Sequence, residues 1–152
     1  MDYKNLVKDF AERTEHNLNV IEEINAIEKQ AAYEVTQLIN SLLGLLILPQ
    51  QKFFDSIPKD SIEKARKDGW NIPEPLDDKL QQVDDLSVFL RYLRNGVSHF
   101  NIKFLSSDEQ ISGIEIWNIL PHSKSINWKI KLDIHEIKSI TTKIKGLVND
   151  FE

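Results

Sequence analysis

The spacing of apolar residues changes at one point in the chain, between His99 and Phe100. Before it, apolar residues recur every three or four positions, as they do on one face of an α-helix. After it, apolar and polar residues alternate through much of the segment 100–132, which is typical of strands with one buried face. Helical spacing then returns from Ile134. The sequence therefore predicts a mainly α-helical protein with a small antiparallel sheet of two or three strands, at about 100–132, before its last helix.

Two helical segments are expected in the first third of the chain. Residues 3–29 indicate one long or two consecutive amphipathic helices, with a break near 15–17, where the apolar spacing lapses. Residues 31–48 are apolar around most of the helix and predict a more buried one. Pro49 should end it, because proline has no N–H to donate and disfavours the helical conformation of the residue before it.

The segment 50–82 has the composition of a connector with short elements of its own. Residues 60–63 have the spacing of a capping box, and Gly69 would end the short helix that follows. A longer amphipathic helix should begin between residues 76 and 85 and end at His99. Asp133 is expected to cap the last helix of the chain.

Composition limits the kind of protein that the chain can form. Its 152 residues predict a single domain, 1–152, and the absence of cysteine excludes disulfides and thiolate metal sites. The sequence opens without a secretory signal, and its longest apolar stretch, 42–48, is too short to cross a bilayer. We therefore expect a cytoplasmic protein without a membrane partner. The net charge of −5 means that any RNA contact needs a local basic patch.

Polar side chains cluster on the helix that ends at His99. At about 100° per residue, one arc of this helix is apolar and the other polar. The polar arc carries Arg91, Arg94, Asn95, Ser98 and His99. In an unbroken helix Arg94 and His99 point about 140° apart. We expect Gly96 and the helix end to relax that angle, so that both side chains line one cleft; the alternative is a histidine cap beside a surface arginine.

The stretch LRNGVSH resembles the Arg-X4-6-His motif of the HEPN superfamily, with Arg94, Asn95 and His99 as its diagnostic residues. The segments YEVTQLINSLLGLLILPQ and LRNGVSHFNIKF resemble a plasmid- and genome-borne branch of stand-alone HEPN proteins. This resemblance covers most of the chain. It implies an up-and-down helical bundle that forms homodimers through the helix of Arg94 and His99. Many such proteins are metal-independent endoribonucleases of toxin–antitoxin, phage-defence and RNA-processing systems, and others are inactive scaffolds.

The motif residues have the chemistry that RNA cleavage without a metal or cofactor requires. His99, with an ordinary pKa near 6.5, can serve as base for the ribose 2′-OH or as acid for the 5′ leaving oxygen. Arg94 stays cationic and can hold phosphate oxygens as their charge grows. Asn95 is a candidate to orient His99 or the scissile phosphate. A two-fold dimer would place two copies of each residue side by side.

Further candidates lie outside the motif. The resemblance implies an acidic or amide residue on the preceding helix that pairs with the motif arginine, and Glu34, Gln37 and Asn40 are the available positions. Arg91 and Lys103 are candidate phosphate contacts or, equally, solvated surface charges. No group of residues has the spacing of a metal site.

Three functions remain open at this level. The first is a HEPN-type endoribonuclease that acts on RNA, with an antitoxin or regulatory protein as a possible partner. The second is a HEPN-fold binding or regulatory module without catalysis, which the net charge of −5 favours. The third is a metal-dependent enzyme.

Overall fold

The computed structural model describes residues 6–28, 32–49, 51–107 and 110–151, which form six helices and one three-stranded sheet. The helices are α1 (Leu6–Ile27), α2 (Glu34–Ile47), α3 (Gln51–Ser56), α4 (Ile62–Lys67), α5 (Leu86–Ser98) and α6 (Ile134–Asp150). The strands are β1 (Ile102–Ser107), β2 (Gln110–Ile119) and β3 (Ile126–Asp133). The predicted fold class, a mainly helical protein with a small antiparallel sheet before the last helix, is confirmed.

Helix α1 is continuous, which is the first of the two expected alternatives, one long helix; the break near 15–17 that two helices would need is absent. Ala11 and Thr14 are buried, and Leu18 packs against the same core. The inward-facing positions therefore keep helical spacing through 15–17, but two of them carry small or polar side chains that an apolar pattern does not register. On the outer side, Lys145 of α6 forms an ion pair with Glu15.

Helix α2 lies in the middle of the helical layer and contacts α1, α5 and α6. Its buried side chains are Leu38, Ile39, Ser41, Leu42, Leu45 and Leu46. The buried hydroxyl of Ser41 donates to the carbonyl of Gln37 at 2.8 Å, which satisfies it within the helix. The helix ends at Ile47, two residues before Pro49, as predicted.

The connector between α3 and α5 carries the helix start and stop that its sequence predicts, with a shift of one residue. Ser61, rather than Asp60, is the N-cap of α4, and its hydroxyl accepts from the backbone N–H of Lys64 at 3.2 Å. Gly69 ends the turn with a φ of +87°, a conformation that glycine adopts without strain. Trp70 then packs into the core.

The sheet is antiparallel, in the order β1-β2-β3, and packs one face against the helices. That face carries Ile114, Ile116, Trp128, Ile130 and Leu132, all of them buried. In the segment 126–132, alternation predicts that Ile126, Trp128, Ile130 and Leu132 share one face, and the last three do. Ile126 is instead exposed at the end of the strand, beyond the register shift after Asn118.

The connector also covers the outer edge of β3. The backbone N–H of Leu76 donates to the carbonyl of Lys129 at 3.0 Å, and that of Gln81 donates to the carbonyl of Asn127 at 2.7 Å. Exposed strand edges are prone to pair with other chains, and this cover removes one such edge. It also places Gln81 next to Asn127, which matters for the site described below.

Helix α5 is held between the sheet, α2 and α3. It begins at Leu86, and the carboxylate of Asp85 caps it by accepting from the backbone N–H of Val88 at 2.9 Å. Its inner side chains, Phe89, Leu90 and Leu93, are fully buried.

Helix α6 starts with the predicted cap at Asp133. Within the described ranges, no helix is long and apolar enough to cross a membrane.

Candidate active site

Helix α5 continues through Gly96 and ends at Ser98, with His99 as its C-cap. The expectation that Gly96 relaxes the helix was therefore wrong. A Cβ at position 96 would lie 2.5 Å from Cγ1 of Ile116 and 3.1 Å from the carbonyl oxygen of Trp117. Gly96 is glycine because the helix backbone approaches β2 too closely for any side chain. This contact fixes the distance between the motif helix and the sheet.

The helix end is closed by two hydrogen bonds of the Schellman type. Asn101 donates to the carbonyl of Gly96 at 2.8 Å, and Phe100 donates to the carbonyl of Val97 at 3.1 Å. This motif needs a left-handed residue, which is Phe100 with a φ of +59°. Its ring is 82% exposed. A bulky aromatic residue in this conformation stores backbone strain directly beside His99.

Arg94 is held against α3. Its Nη1 donates to Oε1 of Gln51 at 2.9 Å, and its Cζ lies 4.7 Å from the centre of the Phe54 ring. A guanidinium over an aromatic face is attracted to the ring. Arg94 is only partly exposed as a result, with its direction fixed by one amide and one ring. Its remaining N–H groups are the donors available to a phosphate.

Arg91 belongs to the same cluster, one turn earlier on α5. Its Nη2 donates to Oδ1 of Asp55 at 2.7 Å, and Nε2 of Gln51 donates to the same oxygen at 2.9 Å. Arg91 and Asp55 are both largely exposed, so their ion pair contributes at most about 1 kcal/mol. Gln51 thus bridges Arg94 and Asp55, and the two arginines of the motif helix are oriented by one face of α3.

Asn95 faces the sheet instead, at the end of a chain of side-chain amides. Its Nδ2 donates to Oδ1 of Asn118 at 3.1 Å, and Nδ2 of Asn118 donates to Oδ1 of Asn127 at 2.7 Å. Nδ2 of Asn127 donates to Oε1 of Gln81 at 2.9 Å and to the hydroxyl of Tyr92 at 3.1 Å. We call these five residues the amide network. Asn118 and Asn127 are buried, whereas Asn95 is exposed.

His99 is exposed, and no hydrogen bond or ion pair to its imidazole is found among the described residues. It follows Asn95 by four positions, and its backbone N–H donates to the carbonyl of Asn95 at 3.0 Å. Positions four apart lie on the same side of a helix, so Asn95 and His99 are neighbours. Arg94 faces α3. One copy of the chain therefore groups Asn95 with His99 and holds Arg94 on another side of the helix.

The partner of Arg94 in the structure is Gln51, a residue that sequence reasoning missed. Glu34 lies in the first turn of α2 and acts on Lys138 of α6, whose pKa is raised first by its hydrogen bond to Glu22 and also by the charge of Glu34. Gln37 is partly buried on α2, and Asn40 is exposed. Within the described residues, none of these three α2 side chains is hydrogen-bonded to Arg94. A catalytic role of Glu34 remains a prediction.

One feature of the sequence could have suggested Gln51. Gln51 and Asp55 are four residues apart at the start of α3, a spacing that matches the two arginines three residues apart on α5. Local sequence patterns do not show that the two helices meet, because Gln51 and Arg94 are 43 positions apart in the chain.

Lys103 lies on the outer face of the sheet, away from the α3 side of the motif helix. It is exposed in β1 and stands opposite Glu115 in the register. Nζ of Lys129 lies 2.7 Å from the carboxylate of Glu115, and this bond lowers the pKa of Glu115. The structure does not join Lys103 to the other site residues. In the part of the chain that is described, no group of three or more His, Cys, Asp or Glu side chains is placed to hold a metal ion.

The helical bundle and the Arg94–His99 motif at the end of its α5 helix define the chain as a HEPN domain. A family model described as HEPN pEK499 p136 matches residues 1–151, and the chain belongs to this family. The family supports a nuclease or RNA-related role. No curated protein and no solved structure matches the chain.

Proposed function

We propose that this protein is a metal-independent HEPN-type endoribonuclease that cleaves RNA by attack of the ribose 2′-OH on the adjacent phosphate. The observation that carries the proposal is the geometry of α5. Its exposed end presents the free imidazole of His99 beside Asn95, and Arg94 is oriented by Gln51 and Phe54. These groups supply a proton-transfer group and a fixed cation, which are the functions that such a reaction requires.

Each motif residue has a distinct role in this proposal. His99 takes the proton of the 2′-OH or gives one to the 5′ leaving oxygen. Arg94 holds the non-bridging phosphate oxygens while their negative charge grows. Asn95 positions the reacting ribose or the imidazole. Arg91 and Lys103 are the proposed contacts to flanking phosphates, and no cofactor takes part.

A homodimer would complete the site. In one copy Arg94 faces α3 and His99 projects from the helix end, so the two do not meet on the same side of α5. A two-fold axis near this helix end would bring the Arg94 of one copy towards the His99 of the other, and it would supply a second histidine for the second proton transfer. Sedimentation at micromolar concentration should show a dimer; a monomer that still cleaves RNA would contradict this composite site.

The biological setting that we propose is defence or a toxin–antitoxin pair, in the cytoplasm, with an antitoxin or regulatory protein as partner. The support is the family to which the chain belongs and its small size. A second function, a HEPN-fold binding or regulatory module without catalysis, is favoured by one observation. The net charge is −5, and Arg91 is already paired with Asp55, which leaves little free positive charge around the motif.

One experiment tests the proposed function directly. The purified protein is incubated with mixed RNA in EDTA, and the products are examined for 2′,3′-cyclic phosphate ends. We expect cleavage by the unmodified protein and a loss of about 100-fold or more in the variants Arg94→Ala and His99→Ala, since each removes a group that acts in the transition state. EDTA also separates this mechanism from that of a metal-dependent enzyme.

Matched controls exclude a contaminant and a general charge effect. Arg13→Ala removes an exposed arginine of α1, and His122→Ala removes an exposed histidine of the turn between β2 and β3. Both should retain full cleavage. Intact RNA with the unmodified protein, or equal cleavage by all variants, would refute the nuclease and leave the binding module, which a shift in RNA mobility without cleavage would support.

A further inference from the structure

The amide network has a direction. Asn95 donates to Asn118, Asn118 donates to Asn127, and Asn127 donates to Gln81. The hydroxyl of Tyr92 also donates to Oε1 of Gln81, at 3.1 Å. The donations thus run from Asn95 through Asn118 to Asn127, and the acceptor that ends the chain is Gln81.

The direction decides which atom Asn95 presents to solvent. Its Nδ2 is engaged with Asn118, so its Oδ1 is left on the exposed side of the helix, next to His99. The inner links lie in a buried environment, where an amide without a partner is destabilising. A flip of Asn118 or Asn127 alone would break at least two links, and a flip of Asn95 alone would set its Oδ1 against Oδ1 of Asn118 with no proton between them. The amides therefore flip together or not at all. The buried part of the network therefore fixes the orientation of the Asn95 side chain, which is itself exposed.

We propose that the amide network makes Asn95 an acceptor for the ribose 2′-OH, and that Asn118 and Asn127 are positioning residues for the site. This inference rests on the proposed nuclease function and adds how the site would recognise ribose. The 2′-OH is a hydrogen-bond donor that RNA has and DNA lacks, and an outward-facing carbonyl oxygen selects for it. The same bond would hold the 2′-OH beside His99, which follows Asn95 on the same side of the helix. Because this hydroxyl has one proton, it turns from Oδ1 of Asn95 to the imidazole when His99 takes that proton.

Two substitutions of Asn118 separate orientation from general stability. In Asn118→Asp the buried carboxyl is held protonated, since burial raises the pKa of an aspartate. Its carbonyl oxygen can then accept from Asn95 and its hydroxyl can donate to Asn127, as the amide does, so this variant keeps the acceptor that Asn95 needs. Asn118→Leu keeps a similar volume but removes the acceptor, so Nδ2 of Asn95 loses its partner and the side chain is free to turn.

The measurements are single-turnover cleavage and the affinity ratio between an RNA oligonucleotide and its 2′-deoxy analogue. The affinities are measured in the His99→Ala background, where the RNA stays intact. We expect Asn118→Leu to lose about 10- to 100-fold in cleavage rate and most of its preference for ribose, as removal of one oriented hydrogen bond does. Asn118→Asp should stay within about threefold of the unmodified protein at neutral pH. Tyr92→Phe removes only the hydroxyl at the far end of the network. It should therefore lower the cleavage rate and the ribose preference less than Asn118→Leu does.

The outcomes are distinguishable. If the unmodified protein cleaves RNA and folded Asn118→Leu keeps both its rate and its ribose preference, the amide network has no positioning role, and the proposed function stands. If Asn118→Asp is as inactive as Asn118→Leu although folded, an acceptor at position 118 is not what the site needs, and the inference is overturned. If the unmodified protein neither binds nor cleaves RNA, the proposed function falls, and this inference falls with it.

Discussion

Nη1 of Arg94 donates to Oε1 of Gln51 at 2.9 Å, across the contact between the motif helix and α3. Among the described side-chain hydrogen bonds, this one orients the motif arginine, and the ring of Phe54 packs against its guanidinium. Arginine holds phosphate best when its planar fork is preorganised. Helix α3, the first short helix after Pro49, is therefore part of the site, although it carries none of the motif residues.

The first prediction concerns Gln51→Leu. This variant should lower the RNA cleavage rate about tenfold, because the guanidinium of Arg94 loses the bond that fixes its direction. The free energy of unfolding should change by less than about 1 kcal/mol, since Gln51 is exposed. Single-turnover kinetics and urea denaturation measure the two effects. Gln82→Leu makes the same chemical change at an exposed position without described contacts and should leave the rate unaltered; an equal loss in both variants would argue against the role of Gln51.

The elements that the sequence predicts correctly are those whose signals are local. The change of apolar spacing after His99 places the sheet, Pro49 ends α2, and Asp133 caps α6 in a full capping box. Each of these depends on residues within one or two turns of each other. The class of the fold follows from them. The exposed polar arc at the end of α5 also follows from local residue spacing.

The parts that the sequence does not predict depend on contacts between distant segments. The helix α1 keeps its inner face through Ala11 and Thr14, which no apolar pattern registers. The amide network joins the connector, α5 and two strands through side chains that look like ordinary polar residues one by one; its members are Gln81, Tyr92, Asn95, Asn118 and Asn127. Buried amides of this kind become recognisable only when their partners are in place.

The second prediction concerns the glycines of two helices. Gly96→Ala should destabilise the protein by about 1–3 kcal/mol, because the new methyl would overlap the side chain of Ile116. Gly146→Ala should stabilise it by about 1 kcal/mol, since a Cβ there has nothing within 4 Å and alanine favours a helix. Thermal or urea unfolding of both variants should give changes of opposite sign in the free energy of unfolding.

A double-mutant cycle checks the cause of the Gly96 effect. Ile116→Ala removes both side-chain atoms that a Cβ at position 96 would meet within 3.0 Å. The cost of Gly96→Ala should therefore be smaller in the Ile116→Ala background. An unchanged cost would show that the close approach of α5 to β2 is not what requires glycine.

The third prediction concerns pH and the cap of the motif helix. Burial opposes ionisation of Asp85, but the hydrogen bonds from Ser87 and Val88 outweigh it and lower its pKa. A carboxyl whose pKa is lower in the folded state contributes stability above its unfolded pKa and loses it as the pH falls through the folded value. Asp85→Ala should therefore cost about 1 kcal/mol at pH 7 and progressively less below about pH 4.

Asp85→Asn is the matched control for that prediction. An asparagine caps a helix through its carbonyl oxygen but does not titrate, so its stability relative to Asp85→Ala should not depend on pH. Urea denaturation at pH 7 and pH 3 gives the comparison. A constant difference between the unmodified protein and Asp85→Ala at both values would contradict the assignment of this carboxylate as a charged cap.

The last prediction concerns Phe100, which closes α5 in the left-handed conformation with an exposed ring. Phe100→Gly should stabilise the protein by about 1 kcal/mol, because glycine adopts this conformation without the Cβ clash and the exposed ring contributes little burial. Phe100→Ala also removes the ring but keeps the Cβ, so it should bring no such gain. Unfolding measurements separate the two: equal stabilisation by both variants would mean that the ring, rather than the backbone of Phe100, is the source of the strain beside His99.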